Sequence, residues 1–143
     1  MADLVAFEAA VAADLALEFP GAEIHRGERT GKATENPKLA IFWAGDSEQD
    51  GRVAVGQARY IVRYWPTTAK IRNDAPAGVR DTSQLQEAKL ELQQFFQEKQ
   101  TAYLATGVWF NRLTRVTPDY DPDEWGVEGE LTLWFNNPAA VTA

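Results

Sequence analysis

The chain has 143 residues, of which 45% are hydrophobic and 24% charged, with a formal net charge of −7. That is the size and composition of one globular domain, and it excludes collagen-like and disordered classes. Cysteine is absent and there is one histidine, His25, which excludes disulfides, zinc–thiolate sites, thiol nucleophiles and any multi-histidine metal site within one subunit. The negative charge disfavours nonspecific binding to nucleic acid or to an anionic membrane. Met1-Ala2-Asp3-Leu4 carries no basic stretch of the kind that opens a secretory signal. No apolar run approaches 18 residues, so no membrane-spanning helix is expected. The expectation is a soluble, acidic domain that is made inside a cell.

The first element is a helix over Asp3 to Phe19. Leu4, Phe7, Val11 and Leu15 form one apolar face, Asp3 is placed to cap it, and Pro20-Gly21 stops it. Residues 26 to 38 are a polar loop after a short strand around Ile24. Leu39 to Ala44 is short and apolar, as a buried strand is. Residues 45 to 51 form a turn, and Arg52 to Trp65 a long strand rich in β-branched and aromatic residues, in which Gly56 marks a bulge. Residues 66 to 80 are irregular, with a length that in a compact domain is often functional.

Asp81, Thr82 and Ser83 offer caps for a second helix, and Ser83 with Gln86 has capping-box spacing. Its apolar stripe (Leu85, Ala88, Leu92, Phe95 or Phe96, and Tyr103) carries it to about Leu104, and Gly107 ends it. Val108 to Thr117 is a strand, Pro118 to Gly126 an acidic turn, and Val127 to Asn136 the last strand, with Val127, Leu131, Leu133 and Phe135 on one face and Glu128, Glu130, Thr132 and Trp134 on the other. Residues 138 to 143 form a tail on a single domain spanning 1 to 143. The class is α+β: a mostly antiparallel sheet, made of a meander and a C-terminal hairpin, with two helices on one face.

Three motifs fail on their chemistry. Gly27-Glu28-Arg29-Thr30-Gly31-Lys32-Ala33 has three residues between its glycines where a phosphate-binding loop has four, and Ala33 sits where a hydroxyl must reach magnesium. Asp119, Asp121, Asp123 and Glu130 match positions 1, 3, 5 and 12 of a calcium loop, but Glu124 stands where the sharp turn demands glycine. A metal-dependent nuclease would need a Lys or Arg beside those acids, and the stretch has none. An acid-pair glycosidase finds no specific support. His25 has no partner pattern around it.

Charge segregation is the most informative feature. Between Arg52 and Arg80 stand six bases (Arg52, Arg59, Arg63, Lys70, Arg72, Arg80) and one acid, Asp74. Between Asp119 and Glu130 stand six acids (Asp119, Asp121, Asp123, Glu124, Glu128, Glu130) and no base. Two readings follow. The patches pair within one sheet, with Arg59 and Arg63 meeting Glu128 and Glu130, or they pair between copies, head to tail, in a contact that closes into a ring if the rotation permits; the two are compatible with each other. Trp65 shares a strand face with Arg59, Ile61 and Arg63, Trp134 lies on the face with Glu128 and Glu130, and Trp125 lies in the acidic turn; Trp and Arg are enriched at interfaces. The candidate interface is therefore Arg59, Arg63, Trp65, Lys70, Arg72, Asp119, Asp121, Asp123, Trp125, Glu128 and Glu130. Reversing Arg59 and Arg63 to Glu is expected to weaken assembly while leaving the subunit folded; unfolding would place the pairing inside the subunit's own sheet.

The element order and texture resemble a family. An amphipathic helix opens the chain. The aromatic-rich strand Arg59-Tyr60-Ile61-Val62-Arg63-Tyr64-Trp65 follows, then the helix at Leu85-Gln86-Glu87-Ala88-Lys89-Leu90, then a strand, an acidic turn and a strand ending Glu130-Leu131-Thr132-Leu133-Trp134-Phe135. This resembles the tail-terminator proteins of long-tailed bacteriophages, relatives of minor tail and head–tail joining proteins. The resemblance implies a homohexameric ring in the virion, at the head-proximal end of the tail tube. Such a ring stops tube polymerisation and joins the tail to the head connector. The partners implied are the chain itself, the tail-tube protein and the head–tail connector protein, with DNA passing through the lumen without specific binding. The family has no shared catalytic motif, so no catalytic residue, metal or cofactor is expected. Two alternatives stand beside it: a head–tail connector or other minor tail protein, and a small acidic metal-dependent hydrolase.

Overall fold

The computed structural model describes residues 3–27, 37–46, 55–66, 82–121 and 124–136. Helix α1 (Leu4–Glu18) is followed by strands β1 (Glu23–Arg26), β2 (Lys38–Asp46) and β3 (Val55–Trp65), helix α2 (Ser83–Glu98), a single 3-10 turn (Leu104–Thr106), and strands β4 (Val108–Asp119) and β5 (Gly126–Asn136). The strands form one sheet in the order β1-β2-β3-β5-β4. β1 runs parallel to β2 and every other pair is antiparallel, so the class is α+β with a mixed, mostly antiparallel sheet.

Asp3 caps α1 by accepting from the Ala6 N–H at 2.9 Å, which satisfies one of the donors a helix start leaves open. Its Phe7, Val11 and Leu15 are fully buried. Past the cap residue Phe19, Gly21 turns the chain with φ +88°, a conformation glycine adopts without steric cost.

Strand register sorts the sheet into two faces. Tyr60 lies opposite Leu131, Val62 opposite Gly129 and Ala58 opposite Leu133, and all of these are buried. Rings from both helices meet side chains of this face. Phe7 packs edge-on against Tyr60 at 5.6 Å, Phe19 against Tyr64 at 5.2 Å, and Phe96 of α2 against Phe110 at 5.9 Å. Such aromatic pairs add to the area they bury because ring edges are positive and ring faces negative. The alternate residues, among them Arg59, Ile61 and Arg63 on β3 and Glu128, Glu130, Thr132 and Trp134 on β5, fall on the other face.

Several sequence expectations change. The second helix ends at Glu98, not near Leu104. The Lys99 N–H is taken by the Phe96 carbonyl, and the chain turns through Thr101 into the 3-10 turn. Leaving the helix there lets Tyr103 reach α1: its ring meets Phe7 at 5.4 Å and its hydroxyl donates to Asp14 at 2.7 Å. Gly107 does close this segment, with φ +81°. Thr82 is the cap residue of α2 and makes no side-chain capping bond, and Ser83 is already helical, so the capping box does not form. Gly56 pairs in register with Phe135 and is no bulge; a Cβ there would lie 2.5 Å from the Phe135 ring, so the glycine makes room for that ring. The irregularities fall elsewhere, between Trp43 and Gly45 on β2 and twice on β4. The expected start of the third strand at Arg52, all of the irregular stretch at 66–80 except Pro66, the C-terminal tail and most of Gly27–Ala33 lie outside the described residues.

Candidate subunit interface

The register of β3 against β5 brings the two segregated charge runs together. Arg63 lies directly opposite Glu128, and Arg59 lies one diagonal step from Glu130. Arg63 Nε donates to Glu128 Oε2, and Arg59 Nε donates to Glu130 Oε1 at 2.9 Å. Arg115 on β4 adds a second cation to Glu130, Nη1 to Oε2 at 3.6 Å. The Glu130 side chain is only 13% exposed, so the two arginines compensate a carboxylate largely removed from water. The Arg63 guanidinium also sits 5.8 Å from the centre of the Phe42 ring. Of the two pairings that the sequence allowed, the one within the subunit forms.

The two tryptophans of the candidate set lie inside the subunit. Trp65 is 2% exposed, with its indole N–H donating to Glu124 at 3.4 Å; Trp125 is 1% exposed and donates to Gln84 of α2 at 3.2 Å. Neither ring offers surface to a partner, which corrects their assignment as interface anchors. They are in place because Gly126 lets β5 start against β3: a Cβ there would stand 2.4 Å from the Tyr64 carbonyl oxygen. Asp119 and Asp121 remain exposed at the hairpin tip, where Asp119 Oδ1 accepts from the Asp121 N–H at 3.0 Å. Lys70, Arg72 and Asp123 lie outside the described residues.

The apolar part of the outer face was not picked out from the sequence as a group. Phe42, Ile61, Trp109 and Trp134 fall on it and are partly exposed, with Trp109 directly opposite Trp134. The available signal was alternation in Val108-Trp109-Phe110, whose central ring had to point away from its neighbours. Arg112 and Arg115 were also missed, because two bulges on β4 break the alternation that would have placed them.

Elsewhere, titrating groups are held by burial. Tyr103 is pushed above its ordinary range by burial and by its bond to Asp14. Tyr64 is raised to about 12, first by burial and then by Glu91. Glu91 is itself raised by burial, Glu87 and Glu18. His25 Nε2 lies 3.2 Å from Glu23 on β1. Among the described residues no group of three or more His, Asp or Glu is placed to share a metal ion, and Glu130, the last position of the calcium-loop pattern, is held by arginines. No helix of the described residues is long and apolar enough to cross a membrane. No protein-family model matches the chain, and no curated protein matches it.

Proposed function

We propose that this chain is a structural protein of a long phage tail, of the terminator kind. Copies close into a ring, with six subunits as the resemblance implies. The ring sits on the head-proximal end of the tail tube, ends its polymerisation and presents the surface that joins the head connector. The work is binding, and no catalytic residue, metal or cofactor enters it.

The observation that carries this reading beyond element order is the outer face of the sheet. Phe42, Ile61, Trp109 and Trp134 keep part of their surface in solvent, beside arginine–glutamate pairs that are already matched. The register sets Phe42 beside Ile61 and Trp109 beside Trp134, with Arg59 and Thr132 between the two pairs; in a subunit contact the apolar pairs supply the burial and the charges between them fix the register. Trp134 therefore stays in the aromatic part of the contact and Trp109 joins it, in place of Trp65 and Trp125.

The test adds the purified chain to polymerising tail-tube protein and follows tube length by electron microscopy. Tubes that stop growing at the end the chain occupies are expected. Tubes that grow without limit in its presence overturn the terminator reading, and a chain that joins neck assemblies but leaves tube length untouched moves it to the connector class. Light scattering on the chain alone is expected to give a species near six subunits.

A further inference from the structure

β4 is one of the two edge strands of the sheet and carries two interruptions of its pairing with β5, between Phe110 and Leu113 and between Thr114 and Thr117. Each interruption holds one exposed arginine, Arg112 in the first and Arg115 in the second. Bulges re-aim side chains and spoil an edge as a template for another strand. Pro118, further along the same strand, has no N–H to offer a ladder. Recognition at this edge therefore falls to side chains. Arg115 holds φ +53°, the one non-glycine among the described residues in left-handed backbone. A side chain other than glycine, Asn or Asp adopts that conformation at a cost, and such outliers gather where function needs them.

Arg115 is 80% exposed and stands 3.6 Å from a carboxylate that Arg59 already holds at 2.9 Å. Arg112 is exposed, and no acid among the described residues is placed to pair with it. The edge thus presents surplus positive charge on a chain whose net charge is −7. At the far end of the same strand the tip shows the opposite sign: Asp119, Tyr120 (50% exposed) and Asp121. At roughly 3.3 Å per residue of strand, four to nine residues separate the arginines from these acids by about 13–30 Å. The tip of one subunit cannot fold back onto its own arginines.

We propose that Arg112 and Arg115 receive the acidic hairpin tip, Asp119 to Asp121, of a second copy of this chain. The contact is heterologous, edge to tip, and it repeats from copy to copy in one direction, so a suitable rotation closes it into a ring. It rests on the ring reading and specifies which surfaces join. It also moves the basic side of the junction from β3, whose arginines are taken within the subunit, to β4. The partner is another copy and not a nucleic acid, because the field of an acidic protein repels phosphates while its own tip supplies the matching carboxylates.

The test uses the full-length chain, with mass measured by light scattering across concentration and near-ultraviolet circular dichroism confirming the fold of each variant. R112E/R115E and, separately, D119K/D121K are each expected to weaken self-association on the order of a hundredfold, since like charges brought together at an interface cost several kcal/mol. Mixing the two variants one to one, or joining the four changes in one chain, is expected to restore association. Raising salt from 0.1 to 1 M shortens the screening length from about 10 to about 3 Å and is expected to weaken the wild-type assembly. Because Arg115 also stands beside Glu130, R112E alone is the check if the double variant misfolds, and it is expected to weaken assembly in the same direction. A wild-type assembly left intact by both reversals overturns this contact and leaves the ring reading standing. A wild-type chain that stays monomeric at every concentration, alone and with tube protein, overturns both.

Discussion

Phe7 and Arg63 reach toward opposite sides of the same sheet, and different forces hold them. On the inner side Phe7 is fully buried and meets Tyr60, Tyr103 and Phe110 ring to ring. On the outer side Arg63 keeps 29% of its side chain exposed and is held by one carboxylate and one ring. Apolar burial is non-directional and scales with area, so the inner face tolerates no loss of volume. The outer face depends on geometry between charges that water partly screens. Stability therefore resides on the inner face, and the outer face is free to be specific.

The largest break in that contrast comes from Phe7→Ala. Removing the ring from a filled core is expected to cost about 3–5 kcal/mol, read as a lowered midpoint in urea with an unchanged slope. Gly126→Ala tests the junction of the two faces. Its Cβ would meet backbone, not a movable side chain, so a loss of about 1–3 kcal/mol is expected, with a changed near-ultraviolet signal from Trp65 and Trp125.

The outer face should respond less. A double-mutant cycle with Arg63→Ala and Glu128→Ala is expected to give a coupling of about 0.2–1 kcal/mol, and Arg63→Glu with Glu128→Arg to recover part of what either reversal loses. A coupling of zero would mean that the pair is indifferent to subunit stability.

The smallest effect is expected at Glu91. Its carboxyl is raised in the folded state by burial, Glu87 and Glu18, so folding favours the protonated form. Stability from this group is fully present below the usual carboxylate range and is lost as pH rises through the raised value. Glu91→Gln is therefore expected to stabilise the chain at pH 7 by about 0.2–0.5 kcal/mol, the size of an unfavourable like-charge pair one helical turn apart, and to lose that advantage near pH 3. Thermal midpoints at the two pH values check both the sign and the window.

Legibility in the sequence followed the range of the interaction. The face of α1, its Asp3 cap and the alternation along β5 follow from neighbours within one or two turns or strand steps, and a chain of residues shows these directly. Charge segregation was equally plain, and it named Arg59, Arg63, Glu128 and Glu130 together. The pairing itself was not legible, because whether opposite charges meet within a subunit or between subunits depends on which strands become neighbours. Trp65 and Trp125 show the same gap: a tryptophan beside charged residues reads as surface until β5 is laid against β3. The length of α2 failed for another reason. Tyr103 continues the helical period, but its bond to Asp14 lies on a different element, and tertiary contact outweighed local propensity.

The residues alone settled that this is an acidic α+β chain without cysteine chemistry, because composition and short-range periodicity are properties of the chain. The tertiary structure decided that β5 lies between β3 and β4, and hence that Arg59 and Arg63 are satisfied at home while Arg112 and Arg115 face outward. Strand order, and bulges that shift alternation by a residue, are set by how apolar faces far apart in sequence find one common core, and local pattern carries no record of that choice.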